Sequence, residues 1–156
     1  MNITQLGHLA FTCRDLNASL HFYRDLLGFR EKFRLYYGDI MGEEKNDETP
    51  EVQIKRKTPW IIYVELPGQV FIELFDAGDA TVSAIPDGSQ FNYQHLSLLV
   101  DDIFAAQAEL LEKGVEIDIA PSLGVDHTWQ MWTHDPDGNK IEWMQYTDQS
   151  MQMIGR

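Results

Sequence analysis

The sequence predicts an α+β fold built from two copies of one strand-helix-strand-strand-strand unit, and an internal repeat carries that expectation. His8-Leu9-Ala10-Phe11 is echoed by His95-Leu96-Ser97-Leu98 at an offset of 87 residues, which also pairs Asp15 with Asp102 and Leu16 with Ile103. Phe71-Ile72-Glu73-Leu74-Phe75 is echoed by Lys140-Ile141-Glu142-Trp143-Met144 at an offset of 69. The first copy is thus eighteen residues longer between its His and its Glu, about the size of one charged segment at 38–57. Self-similarity at a fixed offset is the mark of a duplicated supersecondary unit.

In the first copy, residues 3–13 alternate or run apolar and read as a strand. Asp15 is placed to cap a helix over 16–27, in which Leu16, Leu20, Tyr23 and Leu27 recur at helical spacing and Gly28 closes the end. A strand is expected at about 29–37. The segment 38–57, GDIMGEEKNDETPEVQIKRK, has few large apolar residues and reads as a surface loop or lid. Two strands, Trp60 to Leu66 and Gln69 to Asp76, meet at the turn signal Pro67-Gly68.

A polar stretch with Gly and Pro, about 77–91, reads as a linker, after which the pattern starts again. Tyr93 to Val100 is expected as a strand, Asp102 as the cap of a helix over 103–113, Gly114 as its stop and Val115 to Ala120 as a further strand. Thr128 to His134 and Asn139 to Tyr146 form a last hairpin around Asp135-Pro136-Asp137-Gly138. The expected organisation is one domain over 1–156: a first module at about 3–76, the linker, a second module at about 92–147, and a polar tail at 148–156.

Composition narrows the function. Of the 156 residues 44% are apolar, enough for a packed interior. The net charge of −13 repels nucleic-acid backbones and anionic membranes, so neither is expected as a partner. The single cysteine, Cys13, has no internal disulfide partner and reads as an inert buried thiol. MNITQLGHL lacks the basic start and apolar core of a signal peptide, so the expected location is the cytoplasm.

The chemistry lies in the repeat. A lone strand histidine is ordinarily a core residue, and a lone strand glutamate is ordinarily solvated. Here two His and two Glu recur at equivalent places. Glu73 shares a strand face with Phe71 and Phe75, where burying a carboxylate is costly unless it is paired or bound to a metal. Should the modules pack side by side, both pairs can converge between their sheets. Two imidazoles and two carboxylates suit Zn, Ni, Mn, Co or Fe.

The stretches "HLAFTCRDLNASLHFYRDLLGF", "FIELF", "HLSLLVDDIFAAQAELLEKGV" and "THDPDGNKIEWMQ" resemble the vicinal oxygen chelate (glyoxalase/bleomycin resistance/dioxygenase) superfamily, and within it glyoxalase I. The resemblance runs from His8 to about Tyr146. It implies paired βαβββ modules forming a half-barrel cup around one divalent metal, with His8, Glu73, His95 and Glu142 as ligands. It implies a homodimer, with the ligands drawn from one chain or from both. It further implies a lyase or isomerase acting on a carbonyl or hemithioacetal substrate through a metal-stabilised enediolate. Glu142 is the first choice as the proton-transferring base and Glu73 the second.

Three positions depart from the glutathione-dependent pattern. Thr12 and Phe91 stand where arginines are usual, and Ala77 stands where an asparagine is usual, so dependence on glutathione is left open. Rival functions on the same scaffold are an epimerase, a non-haem iron dioxygenase and a non-catalytic protein that sequesters its ligand. His127, beside Asp126, and Trp129 are the candidate substrate contacts. His21 reads as solvent-facing, His134 as structural, and Trp60, Trp129, Trp132 and Trp143 as core or cup lining. Lys55-Arg56-Lys57 reads as a solvated run, or as a lid face that meets an anionic substrate.

Overall fold

The structure, a computed structural model, describes residues 4–78 and 93–155. Most of the expected linker, Phe91 included, lies outside the described residues. The chain divides into two units, Met1–Val82 and Ser83–Arg156. Each holds one four-stranded mixed sheet, with strand orders β1-β4-β3-β2 and β5-β8-β7-β6. The repeat read from the sequence is therefore a repeat of topology, and the fold is α+β with two βαβββ modules.

The first unit contains β1 (His8–Cys13), α1 (Leu16–Leu20), β2 (Arg30–Tyr36), α2 (Pro50–Arg56), β3 (Pro59–Leu66) and β4 (Val70–Asp76). β1 runs parallel to β4 and the other pairs are antiparallel. Asp15 caps α1 by accepting from the amides of Asn17 and Ala18, at 2.9 and 3.0 Å. The helix then widens into a π-helical stretch, His21–Leu26, in which the Leu27 amide reaches back to the Phe22 carbonyl. This wider turn buries two successive aromatics, Phe22 and Tyr23, whose rings meet edge to face at 5.2 Å. Gly28, at φ 78°, ends the element as expected.

Alternation sorts the sheet into two faces. Ile62, Val64, Ile72 and Leu74 have no solvent exposure and, with Phe11 and Cys13, form the core face, where α1 packs on β4 and Phe11 stacks on Tyr23 at 6.2 Å. Burying each aliphatic side chain contributes roughly 1.5–3 kcal/mol. His8, Ala10 and Thr12 lie on the opposite face, with their register partners Phe71, Glu73 and Phe75.

The segment 38–57 departs from the loop expected. Its second half is α2, capped by Thr49 and opened by Pro50, whose missing N–H costs nothing at a first helical position. Nor is Lys55-Arg56-Lys57 a uniformly solvated run. Arg56 is nearly buried, paired with Glu48 and donating to the carbonyls of Gly42 and Glu43 at 2.8 and 3.1 Å. Lys55 sits 3.5 Å over the Tyr37 ring, and the Tyr37 hydroxyl donates to Asp76 at 2.9 Å. Side chains of the segment thus hold it against the module.

The second unit contains β5 (Leu96–Leu99), α3 (Ile103–Glu112), β6 (Ile119–Leu123), β7 (Trp129–His134), β8 (Lys140–Gln145) and α4 (Met151–Ile154), the last within the expected tail. Asp102 caps α3 as Asp15 caps α1. Leu96, Met131, Ile141 and Trp143 are buried, as are Ile103 and Leu110 of α3. The Trp143 indole donates to the buried Thr133 hydroxyl at 3.0 Å. β6 starts later than the sequence suggests because the Val115 amide completes the α3 C-terminus by donating to Leu110. Its Pro121 is tolerated because β6 is an edge strand with a shifted register.

Candidate functional site

In the first module, the β1–β4 ladder sets Ala10 opposite Glu73 and places His8 one pleat away on the same face. The small Ala10 side chain leaves room between them, and His8 Nε2 lies 3.7 Å from Glu73 Oε2. Glu73 is only 7% exposed, whereas the His8 ring is more than half open to solvent. The other carboxylate oxygen, Oε1, accepts a hydrogen bond from the Tyr63 hydroxyl. Tyr63 is the register partner of Glu73 across the β3–β4 hairpin and stacks on Phe33 at 4.2 Å. The adjacent carboxylate pushes the phenol pKa up to about 12, so Tyr63 remains a donor at any physiological pH.

In the second module, Ser97 replaces Ala10 opposite Glu142, and His95 precedes β5 by one residue. His95 Nε2 lies 3.2 Å from Glu142 Oε2. Trp132 is the register partner of Glu142, as Tyr63 is of Glu73, and its ring meets the His95 ring edge-on at 4.9 Å.

Each module therefore presents one imidazole nitrogen beside one carboxylate oxygen on a single sheet face. The donors fit a divalent cation of the kind expected from the sequence. Nitrogen and oxygen ligands bound at about 2.0–2.2 Å to one ion stand ~3–3.5 Å from each other, close to both spacings. Burying a carboxylate as deeply as Glu73 is costly unless hydrogen bonds or a bound cation compensate it, and Tyr63 supplies one such bond. Among the described residues no three His, Cys, Asp or Glu side chains form a group placed to hold a metal; each module by itself holds one His–Glu pair.

The two candidate substrate contacts lie elsewhere in the second module. Trp129 shares the β7 face of Met131 and Thr133 and meets Phe104 of α3 at 5.1 Å, so it points away from the Glu142 face. His127 precedes β7, at φ 59°, and is five residues from Trp132. Its carbonyl accepts from Thr147 and Ser150, at 2.7 and 3.1 Å, which ties the loop to the C-terminal segment. His21 is exposed and bonded to Asp25 at 2.9 Å, and His134 is bonded to Asp118 at 2.8 Å.

Tyr63 and Trp132 are the site neighbours that reading the motifs passed over. The signal was the turn: with Gly68 at the centre of the hairpin, Tyr63 and Glu73 lie five residues to either side. Thr12, in place of a usual arginine, is exposed on the face that carries His8.

A family model described as "Glyoxalase/Bleomycin resistance protein/Dioxygenase superfamily" matches residues 5–143. Over 144 residues the chain is 27% identical to a protein of Bacillus subtilis (strain 168) named "Catechol-2,3-dioxygenase", covering 89% of this chain and 40% of that one. The chain thus spans about two fifths of that relative's length. A member of the glyoxalase/bleomycin resistance protein/dioxygenase superfamily from Sphaerobacter thermophilus DSM 20745 has a similar structure, with a TM-score of 0.63 and 23% identity, covering 92% of this chain and 98% of that one. A lactoylglutathione lyase from Agrobacterium tumefaciens has a TM-score of 0.61 and 14% identity, covering 93% and 96%. At these identities the solved structures speak for the fold alone.

Proposed function

The chain belongs to the Glyoxalase/Bleomycin resistance protein/Dioxygenase superfamily, whose members are generally metalloenzymes, and from that membership we propose that it is a metal-dependent, glyoxalase-I-like lyase or isomerase. The observation that carries this reading is the recurrence of one His–Glu pair at the same face and register of both modules, at 3.7 and 3.2 Å. His8, Glu73, His95 and Glu142 are the proposed donors to one divalent ion, brought together in one chain or across a homodimer. A bound cation would polarise the substrate's oxygens and stabilise the negative charge left when a proton departs from the adjacent carbon.

Glu142 is the proposed base. Among the described residues no hydrogen-bonding side chain other than His95 approaches it, which suits a carboxylate that takes a proton and returns it to the neighbouring carbon. Glu73 is tied by Tyr63 and serves better as a fixed donor. Thr12 and Ala77, in place of the usual glutathione anchors, favour a substrate that lacks the glutathione moiety.

A non-haem iron dioxygenase is the second reading, favoured by the 27% identity to the protein named Catechol-2,3-dioxygenase. A set of four protein donors weighs against it, because that chemistry uses two His and one carboxylate with open positions for oxygen. Metal analysis of protein purified without chelator is the test, followed by Ni, Zn, Mn and Fe add-back and a screen of methylglyoxal with glutathione and with other thiols. Metal-dependent isomerisation is the expected result. Fe(II)-dependent oxygen uptake with a catechol would establish the second reading. If neither the wild type nor Glu142→Gln binds a divalent metal, the proposal fails.

A further inference from the structure

The duplicated modules do not hold their two glutamates alike. Tyr63 and Trp132 are equivalent by the offset of 69 residues that relates Glu73 to Glu142, and each is its glutamate's partner across an antiparallel ladder. The phenol bonds to Glu73, whereas the indole packs edge-on against His95 and gives Glu142 no hydrogen bond. We propose that Tyr63 is a positioning residue: its hydroxyl captures Glu73 Oε1 and thereby turns Oε2 toward His8, setting the donor pair of the first module before any ligand binds. The inference rests on the proposed reading of the His–Glu pairs as metal donors.

Three features of the first module support it. Glu73 is 7% exposed, so the Oε1 lone pairs have little water to turn to if the phenol is lost. Tyr63 is itself fixed, stacked on Phe33 at 4.2 Å and edge-on to Phe71 at 6.4 Å. The bond also links residues on paired strands of one hairpin, so the rigid ladder sets its length and direction. A hydrogen bond that orients a metal-binding carboxylate from outside the metal's own ligands typically contributes ten- to a hundredfold to affinity.

The experiment compares wild type and Tyr63→Phe, which keeps the ring and its stacking, with Tyr146→Phe as a control at an exposed tyrosine of the second module. Co(II) affinity and the visible spectrum of the Co(II) protein are measured, and crystal structures of the metal-free wild type and Tyr63→Phe are solved. Tyr63→Phe is expected to weaken Co(II) binding about tenfold or more, to shift the spectrum, and to leave the Glu73 carboxylate turned away from His8. Unchanged affinity and spectrum, or a Glu73 carboxylate still facing His8 in the variant, overturns the proposal.

If Tyr63→Phe does not fold, 3-fluorotyrosine at position 63 keeps the test open. Its fluorine resonance is expected to move as Zn(II) is titrated in, and a resonance that stays still while Zn(II) binds overturns the proposal. If the wild type binds no metal, the metal reading alone falls, and the metal-free structures decide whether Tyr63 orients Glu73.

Discussion

Tyr63 and Trp132 stand at the same position of two copies of one module, yet the first grips a carboxylate and the second leans on an imidazole. The duplication has kept the His–Glu pairs and changed their neighbours. A buried, anchored Glu73 and a freer Glu142 are suited to different tasks, as two carboxylates in unlike environments commonly are.

Isosteric amides separate those tasks. Glu142→Gln keeps an oxygen beside His95 but loses the proposed base, so kcat is expected to fall by about 10²–10⁴ while the protein still carries metal. Glu73→Gln is expected to lower metal content first, with kcat per bound metal less affected. Steady-state kinetics alongside elemental analysis checks both, and the reverse order would exchange the roles of the two residues.

Trp129, expected from the sequence as a substrate contact, faces α3 instead. Trp129→Ala should therefore act through stability. Losing a partly buried aromatic contact with Phe104 is expected to cost about 1–2 kcal/mol in urea unfolding, with KM unchanged. A raised KM at unchanged stability would return Trp129 to the substrate site.

What was legible follows from which interactions are local. Asp15, Asp102, Gly28 and Gly114 announced the ends of their helices because a cap acts within four residues of itself. The four candidate donors stood out because duplication wrote one His and one Glu twice. The face of Trp129 was settled by strand phase: Met131 and Trp143 are buried, and Trp129 shares the phase of Met131. Helix α2 was hidden because seven residues hold too few turns for an apolar period to show, although Thr49-Pro50-Glu51 did carry a start signal. The role of Arg56 was out of reach because it depends on a contact with Glu48 formed only when the segment folds back.

Gly38 shows how closely that segment is packed. A Cβ there would lie 2.9 Å from the Arg56 carbonyl oxygen, a backbone atom at the end of α2 that cannot simply rotate away. Gly38→Ala is expected to destabilise the module by about 1–3 kcal/mol, the usual cost of overpacking. Thermal unfolding measures it, and an unchanged midpoint would mean that α2 can shift outward freely.

The same segment should loosen in acid. Hydrogen bonding to the Arg56 guanidinium holds the Glu48 carboxyl below its ordinary range, and Arg56 in turn holds the Gly42 and Glu43 carbonyls. A carboxyl whose pKa is depressed on folding contributes stability that is present above its unfolded value and lost as pH falls through the folded one. Amide exchange across 42–48 is therefore expected to be slow at neutral pH. Corrected for intrinsic rates, it should quicken once pH drops below about 4.5, the ordinary glutamate range. Glu48→Gln removes the ionisable partner, so it should exchange quickly at neutral pH and show no further acid step. A wild-type profile that stays flat down to global unfolding would show that α2, rather than the Glu48–Arg56 pair, holds the segment in place.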